Sequence, residues 1–178
     1  MSRTFRPLLL ATLLLPVILA GCETDKANNC PGVSAVVETS VATIFKEGAS
    51  TDPANILYTV ELTDARGSCS VDKTAQNSST DVSVNMRATR APSGAAADFK
   101  IPYFVAISQF DRVLAKKVYA AQFHFEPGQT TATFADTVQS ADVSAGKDKK
   151  TFDYLVLVGL QLTKEQIDYN RASGRLNP

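Results

Sequence analysis

One histidine, three cysteines and scattered carboxylates are what this chain offers to chemistry. A Ser-His-Asp triad has to run through His124, and a histidine-rich metal site cannot be built on one imidazole. His124 stands between Phe123 and Phe125, so strand alternation turns it to the face opposite the two phenyl rings. The chain has no Gly-x-Ser-x-Gly nucleophile elbow, no Asp-x-Asp-x-Asp-Gly calcium loop and no phosphate-cradling glycine loop. Asp64 with Asp72, or Asp136 with Asp142, could form the carboxylate pair that glycoside hydrolysis needs. Acids at such spacings are ordinary in the loops between strands. These residues predict no catalytic centre, no metal site and no cofactor.

The cysteines say more. Arg3 and Arg6 precede an apolar run over residues 8–18 that is broken only by Thr12 and Pro16, the pattern of a signal peptide. The run is too short for a transmembrane helix of roughly 20 residues. It ends on Leu19-Ala20-Gly21-Cys22. These four residues resemble the lipobox of bacterial lipoproteins. The resemblance implies that residues 1–21 are a leader, and that Cys22 is diacylated, becomes the first residue after cleavage and is acylated again on its new amino group. Two or three acyl chains hold a protein on a membrane firmly, where one holds it marginally. In that family an aspartate after the cysteine commonly retains the protein at the inner membrane. Glu23 stands here instead, which implies the outer membrane, with the domain facing the periplasm.

With Cys22 taken by lipid, Cys30 and Cys69 are left as an even pair, expected to bridge in an oxidising compartment. Two separate buried thiols are the alternative. Removing Arg3 and Arg6 with the leader leaves 16 basic residues of the original 18 against 18 acidic ones. Nucleic-acid binding, which needs a clustered basic excess, is thereby disfavoured. Lys147-Asp148-Lys149-Lys150 reads as a solvated loop. Residues 22–29 form a polar tether with nothing to bury, and residues 30–178 are long enough for one domain with one core.

Apolar residues in that domain recur with period two, the signature of half-buried strands. After short apolar runs at residues 33–37 and 41–45, expected to make an irregular edge strand, Ile56, Tyr58, Val60 and Leu62 share one face, closed by Arg66-Gly67-Ser68-Cys69. Residues 73–80, rich in Ser, Thr and Asn, read as a surface connection. Val82, Val84, Met86 and Ala88 form the next inward face, and Ile101, Tyr103, Val105 and Ile107 the one after, with Pro102 at an edge or bulge. Residues 113–125 are too long for one regular strand, so a bulge is expected near Lys116-Lys117, before inward Tyr119, Ala121, Phe123 and Phe125. Glu126-Pro127-Gly128 reads as a hairpin turn into a strand with Ala132 and Phe134, and residues 139–150 as a polar loop. Phe152, Tyr154, Val156, Val158, Leu160 and Leu162 are expected to line the core from a central strand, since Leu155 and Leu157 between them are apolar too. Thr163 and Gln166 have the spacing of a capping box for a short helix ending near Arg171.

Seven or so short strands with almost no helix predict an all-β antiparallel sandwich, immunoglobulin-like or fibronectin-III-like, with a short C-terminal helix; a small β-barrel is the alternative. The immunoglobulin core tryptophan is missing, for the chain has no Trp. The domain also resembles a loose group of proteobacterial envelope lipoproteins through Arg66-Gly67-Ser68-Cys69, Pro102-Tyr103-Phe104-Val105-Ala106 and the tail from Gln161 to Arg171. That resemblance implies no activity. The function expected is a membrane-anchored, non-catalytic binding or assembly module for another envelope protein, with Tyr169 and Arg171 the candidate partner-binding residues. A periplasmic small-molecule or glycan-binding protein, or a hydrolase, using a cleft between sheets, is the alternative.

Overall fold

The computed structural model describes residues 29–92 and 94–175. The expected leader, the acylated Cys22 and all of the tether but Asn29 lie outside them. The chain forms β1 (Gly32–Ala35), β2 (Val41–Phe45), β3 (Ile56–Val71), β4 (Asn77–Thr89), β5 (Ala97–Gln109), β6 (Arg112–Phe125), β7 (Thr131–Ser144), β8 (Leu155–Leu160) and α1 (Lys164–Ala172). These make two four-stranded sheets, ordered β2-β3-β4-β7 and β1-β8-β5-β6, which face each other as a sandwich rather than closing into a barrel. The first sheet holds a meander of three successive strands, whereas the constant-type immunoglobulin arrangement has only pairs of successive neighbours.

The alternating residues meet between the sheets: Tyr58, Val60 and Leu62 with Val82, Val84 and Met86 from one side, Ile101, Tyr103, Val105, Phe123 and Phe125 from the other, all buried. β8 is central, as its doubly apolar sequence predicts, between β5 and β1. Its outward neighbour Phe104 on β5 is covered as well. Lys116 Nζ stands 4.2 Å from the Phe104 ring, and Gly159 opposite leaves the ring room, since a Cβ there would lie 2.7 Å from Phe104 Cζ. Pro102 accepts from the Gln161 N–H, just past the end of β8, so its missing donor falls where the ladder stops.

Several expectations are corrected. The runs at 33–37 and 41–45 are two strands in different sheets, split by a 3-10 turn over Val37–Thr39, and β1 pairs in parallel with β8. β3 does not end at Arg66-Gly67-Ser68-Cys69 but runs on to Val71, and β4 begins at Asn77, inside the presumed connection. Ser and Thr were poor guides there because β4 lies between β3 and β7, whose ladders satisfy its backbone whatever the side chains. β7 likewise continues to Ser144, past a bulge opposite Asp81 where Ser140 has φ 57° and its N–H bonds the Asp81 carboxylate. The bulge in β6 falls at Leu114, between the pairs Ser108↔Val113 and Ile107↔Ala115, ahead of the two lysines. Glu126-Pro127-Gly128 is not a hairpin turn. It carries the chain from one sheet to the other, and Arg90 holds it by donating to the carbonyls of Ala95, Glu126 and Gln129 while lying 4.4 Å over the Phe125 ring. Phe152 does not line the core. It sits in a 3-10 turn over Thr151–Asp153 and is 48% exposed, because β8 begins only at Leu155.

Candidate functional site

The strands give the sandwich two distinct ends. At one, the chain enters: Asn29 accepts from Thr151 Oγ1 at 2.6 Å, and Cys30 forms a disulfide with Cys69, their Cα atoms 6.1 Å apart. This bridge ties the start of β1 to the end of β3 and so joins the two sheets. The expected pairing is therefore present. Gly67 permits the approach, for a Cβ there would run into Val33 Cγ2 and lie 3.1 Å from Thr80 Cγ2. The β3–β4 turn, the β5–β6 turn and the loop before β8 share this end. Gln76 Nε2 donates to the Lys149 carbonyl, Thr151 N–H to that of Ala75 and Lys150 Nζ to that of Thr74, while Lys149 Nζ stands 5.1 Å from the Phe110 ring.

Asp72 builds the β3–β4 turn. Its two carboxylate oxygens accept from Thr74 N–H and hydroxyl, Gln76 N–H, and Asn77 N–H and Nδ2. The Gln76 amide, the Asn77 side chain and the Thr74 groups hold its pKa far below the ordinary carboxylate range. Such a group stays an anion and acts as neither general acid nor general base near neutrality. Its supposed partner Asp64 pairs with Arg66 at 2.6 Å, and lies roughly 25 Å away along β3 at about 3.3 Å per residue. Asp136 and Asp142 are about 15–20 Å apart along β7. Glycosidases need roughly 5–9.5 Å, so neither pair converges. Asp136 accepts from the fully buried Tyr103 hydroxyl at 2.9 Å. His124 points outward on β6, as alternation predicts, with Nδ1 2.8 Å from Asp98 Oδ1 and Nε2 3.7 Å from Glu126 Oε1, at a shallow surface depression beside Lys100 and Gln122. Among the described residues no three His, Cys, Asp or Glu side chains gather closely enough to hold a metal ion.

At the other end lies α1. Its capping box is formed, with Thr163 Oγ1 accepting from Gln166 N–H and Gln166 Oε1 from Thr163 N–H. Asn170, fully buried, donates to the Val41 carbonyl at 2.8 Å, and Ile167 packs against the core. Tyr169 and Arg171, paired in the sequence reading, part company. The Tyr169 ring meets Phe45 edge-on at 5.0 Å and helps hold the helix to β2. Arg171 has a 69% exposed side chain and lies 3.9 Å from Asp168, itself paired with Lys164. A shallow depression between Thr51 and the helix residues Lys164, Asp168 and Tyr169 adjoins them.

Sequence reasoning missed the exposed apolar residues at the chain-entry end, Phe110, Val113, Leu114, Phe152 and Leu155. The signal was present in Phe110-Asp111, an aromatic residue in a turn where glycine or asparagine is usual. No protein-family model, no curated protein and no solved structure matches this chain.

Proposed function

We propose that the protein is a lipoprotein of the bacterial envelope, held on the outer membrane by acyl chains on Cys22, whose sandwich serves as a non-catalytic binding or assembly module on the periplasmic side. One observation carries this reading: the chain enters at one end of a disulfide-stapled sandwich and the capped helix closes the other. A domain so arranged holds a surface at a fixed distance from its point of attachment. The disulfide fits an oxidising compartment, and the lipobox resemblance at Leu19-Ala20-Gly21-Cys22 fits the attachment. Arg171, with the neighbouring charges of α1, is the partner-facing element; Tyr169 supports it from behind. Catalysis by paired carboxylates is the weaker reading, because those acids stand too far apart and Asp72 is locked as an anion.

Replacing Cys22 by serine tests the anchor. The expected result is unprocessed precursor and no incorporation of a fatty-acid probe, and equal labelling of the variant refutes it. Crosslinking in intact cells tests the partner: Arg171→Ala should lose a crosslinked envelope protein that the parent chain captures, while the domain's melting temperature stays within about 1 °C, as expected for a surface change.

A further inference from the structure

Among the described residues, eight large hydrophobic side chains are exposed, and five of them, Phe110, Val113, Leu114, Phe152 and Leu155, gather where the chain enters the sandwich. Register fixes the grouping. Ser108 pairs with both Val113 and Leu155, and Leu155 with Gly32, two residues after Cys30. Phe110 tops the same hairpin, and Phe152 follows Thr151, whose hydroxyl holds Asn29. Phe110 is 76% exposed at φ 53°, the first residue of a two-residue turn where glycine is the unstrained choice. A ring placed there gains nothing from the core, and beyond the Lys149 ammonium 5.1 Å from it most of its apolar surface faces solvent, the mark of a contact outside the domain.

Charge and chain length say what that contact is. Turn residues 72–76, 109–112 and 145–153 carry Lys73, Arg112, Lys147, Lys149 and Lys150 against Asp72, Asp111, Asp148 and Asp153, a net charge of only +1. Asp72 and Asp153 spend oxygens on backbone N–H groups, Lys150 bonds the Thr74 carbonyl and Lys149 lies by the Phe110 ring, which leaves Lys73 and Lys147 exposed around the aromatic rings, the composition of an interfacial surface. From Cys22 to Asn29 the chain spans at most about 25 Å, shorter than the roughly 40 Å of a 13-residue strand such as β4. We propose that this end of the sandwich lies on the lipid surface that holds the anchor, with Phe110 and Phe152 set among the headgroups, so that α1 stands away from the membrane. The proposal rests on acylation of Cys22. With net charge so small, apolar insertion dominates and the contact persists on uncharged lipid.

The chain has no tryptophan, so one introduced indole reports one site. Full-length acylated Phe110→Trp, Phe152→Trp and Leu57→Trp chains are reconstituted in phosphatidylcholine vesicles with brominated acyl chains; Leu57 is the exposed control near the opposite end. Loss of fluorescence at positions 110 and 152 but not at 57 is the expected result. Phe152→Trp, in a turn without positive φ, keeps the test intact if Phe110→Trp folds poorly. No quenching at either position, on chains whose mass shows fatty acid on Cys22, overturns the docking and leaves the anchor standing. Chains without fatty acid overturn both. Equal quenching at 57 overturns the orientation, and crosslinks from position 110 to a second copy in place of quenching overturn the choice of lipid as occupant.

Discussion

Tyr103 puts a phenol at the centre of an apolar core, where its hydroxyl needs a partner, and Asp136 on the facing sheet supplies it. Burial first, and then the Asp136 bond and charge, push the phenol's pKa above its ordinary value. An unfolded tyrosine ionises near pH 10, so the stability that Tyr103 contributes is whole below that pH and falls as pH rises beyond it. Tyr103→Phe should cost about 1 kcal/mol near pH 8 and flatten the alkaline fall, read from urea midpoints at pH 8 and 11. Asp72 has the opposite sign. Its depressed pKa gives stability that is present above about pH 4 and lost as pH falls below it, so Asp72→Asn should lower the midpoint at pH 7 and narrow the gap to wild type at pH 3. Tyr169 and Arg171 separate by the same kind of measurement. Tyr169→Ala loses the Phe45 contact and should cost about 1–2 kcal/mol, whereas Arg171→Ala should leave stability within about 0.5 kcal/mol.

What the sequence could tell of the elements follows from how each side chain is used. Val82, Val84, Met86 and Ala88 alternate cleanly because β4 shows one face to the core and the other to water, so strand and facing were legible together. The capping box at Thr163 is local, needing only three residues of spacing, and it too was legible. Strand ends were not. Ser, Thr and Asn at residues 77–80 signal a loop locally but are held in β4 by neighbours far along the chain, and nothing near Glu126-Pro127-Gly128 says which sheet the next strand joins. Apart from Phe110 in its turn, the exposed apolar end was illegible for a related reason: Val113 and Leu155 read as ordinary strand residues until register sets them beside one another across Ser108. Gly67 shows the same dependence on distant partners, since it reads as a strand stop and is instead the gap through which β1 meets β3. Gly67→Ala should therefore cost about 1–3 kcal/mol through the clash with Val33. Adding Val33→Ala should recover part of that loss, and additive costs in the double-mutant cycle would show that the two do not interact.

In the molecule as a whole, the proposed attachment at Cys22 would lie just ahead of a slender element. β1 has four residues and meets β8 in parallel register at the edge of its sheet, and under the proposed acylation a pull from Cys22 would meet the Thr151–Asn29 hydrogen bond and the Cys30–Cys69 bridge just before it. The disulfide spans 39 positions, and in the chain-entropy picture a closed loop of that size is worth about 4 kcal/mol, a large share of a typical domain stability of 5–15 kcal/mol. The staple does more than limit the unfolded chain. It would pass load to β3 ahead of β1, and the β3 ladder with β4 pairs from Thr59↔Thr89 to Val71↔Ser78. Reduction should then act in two steps. Amide exchange in β1 should quicken first, under conditions where β4 and β5 remain protected, because four edge pairs alone have little to hold them. Global unfolding should follow at a lower denaturant midpoint, by up to about 4 kcal/mol, with the Cys30→Ser, Cys69→Ser double variant matching the reduced chain. If β1 keeps its protection after reduction, the hydrogen bonds to β8 and the packing of Val33 and Ala35 against the core hold the strand by themselves, and the bridge is dispensable for keeping β1 in its sheet.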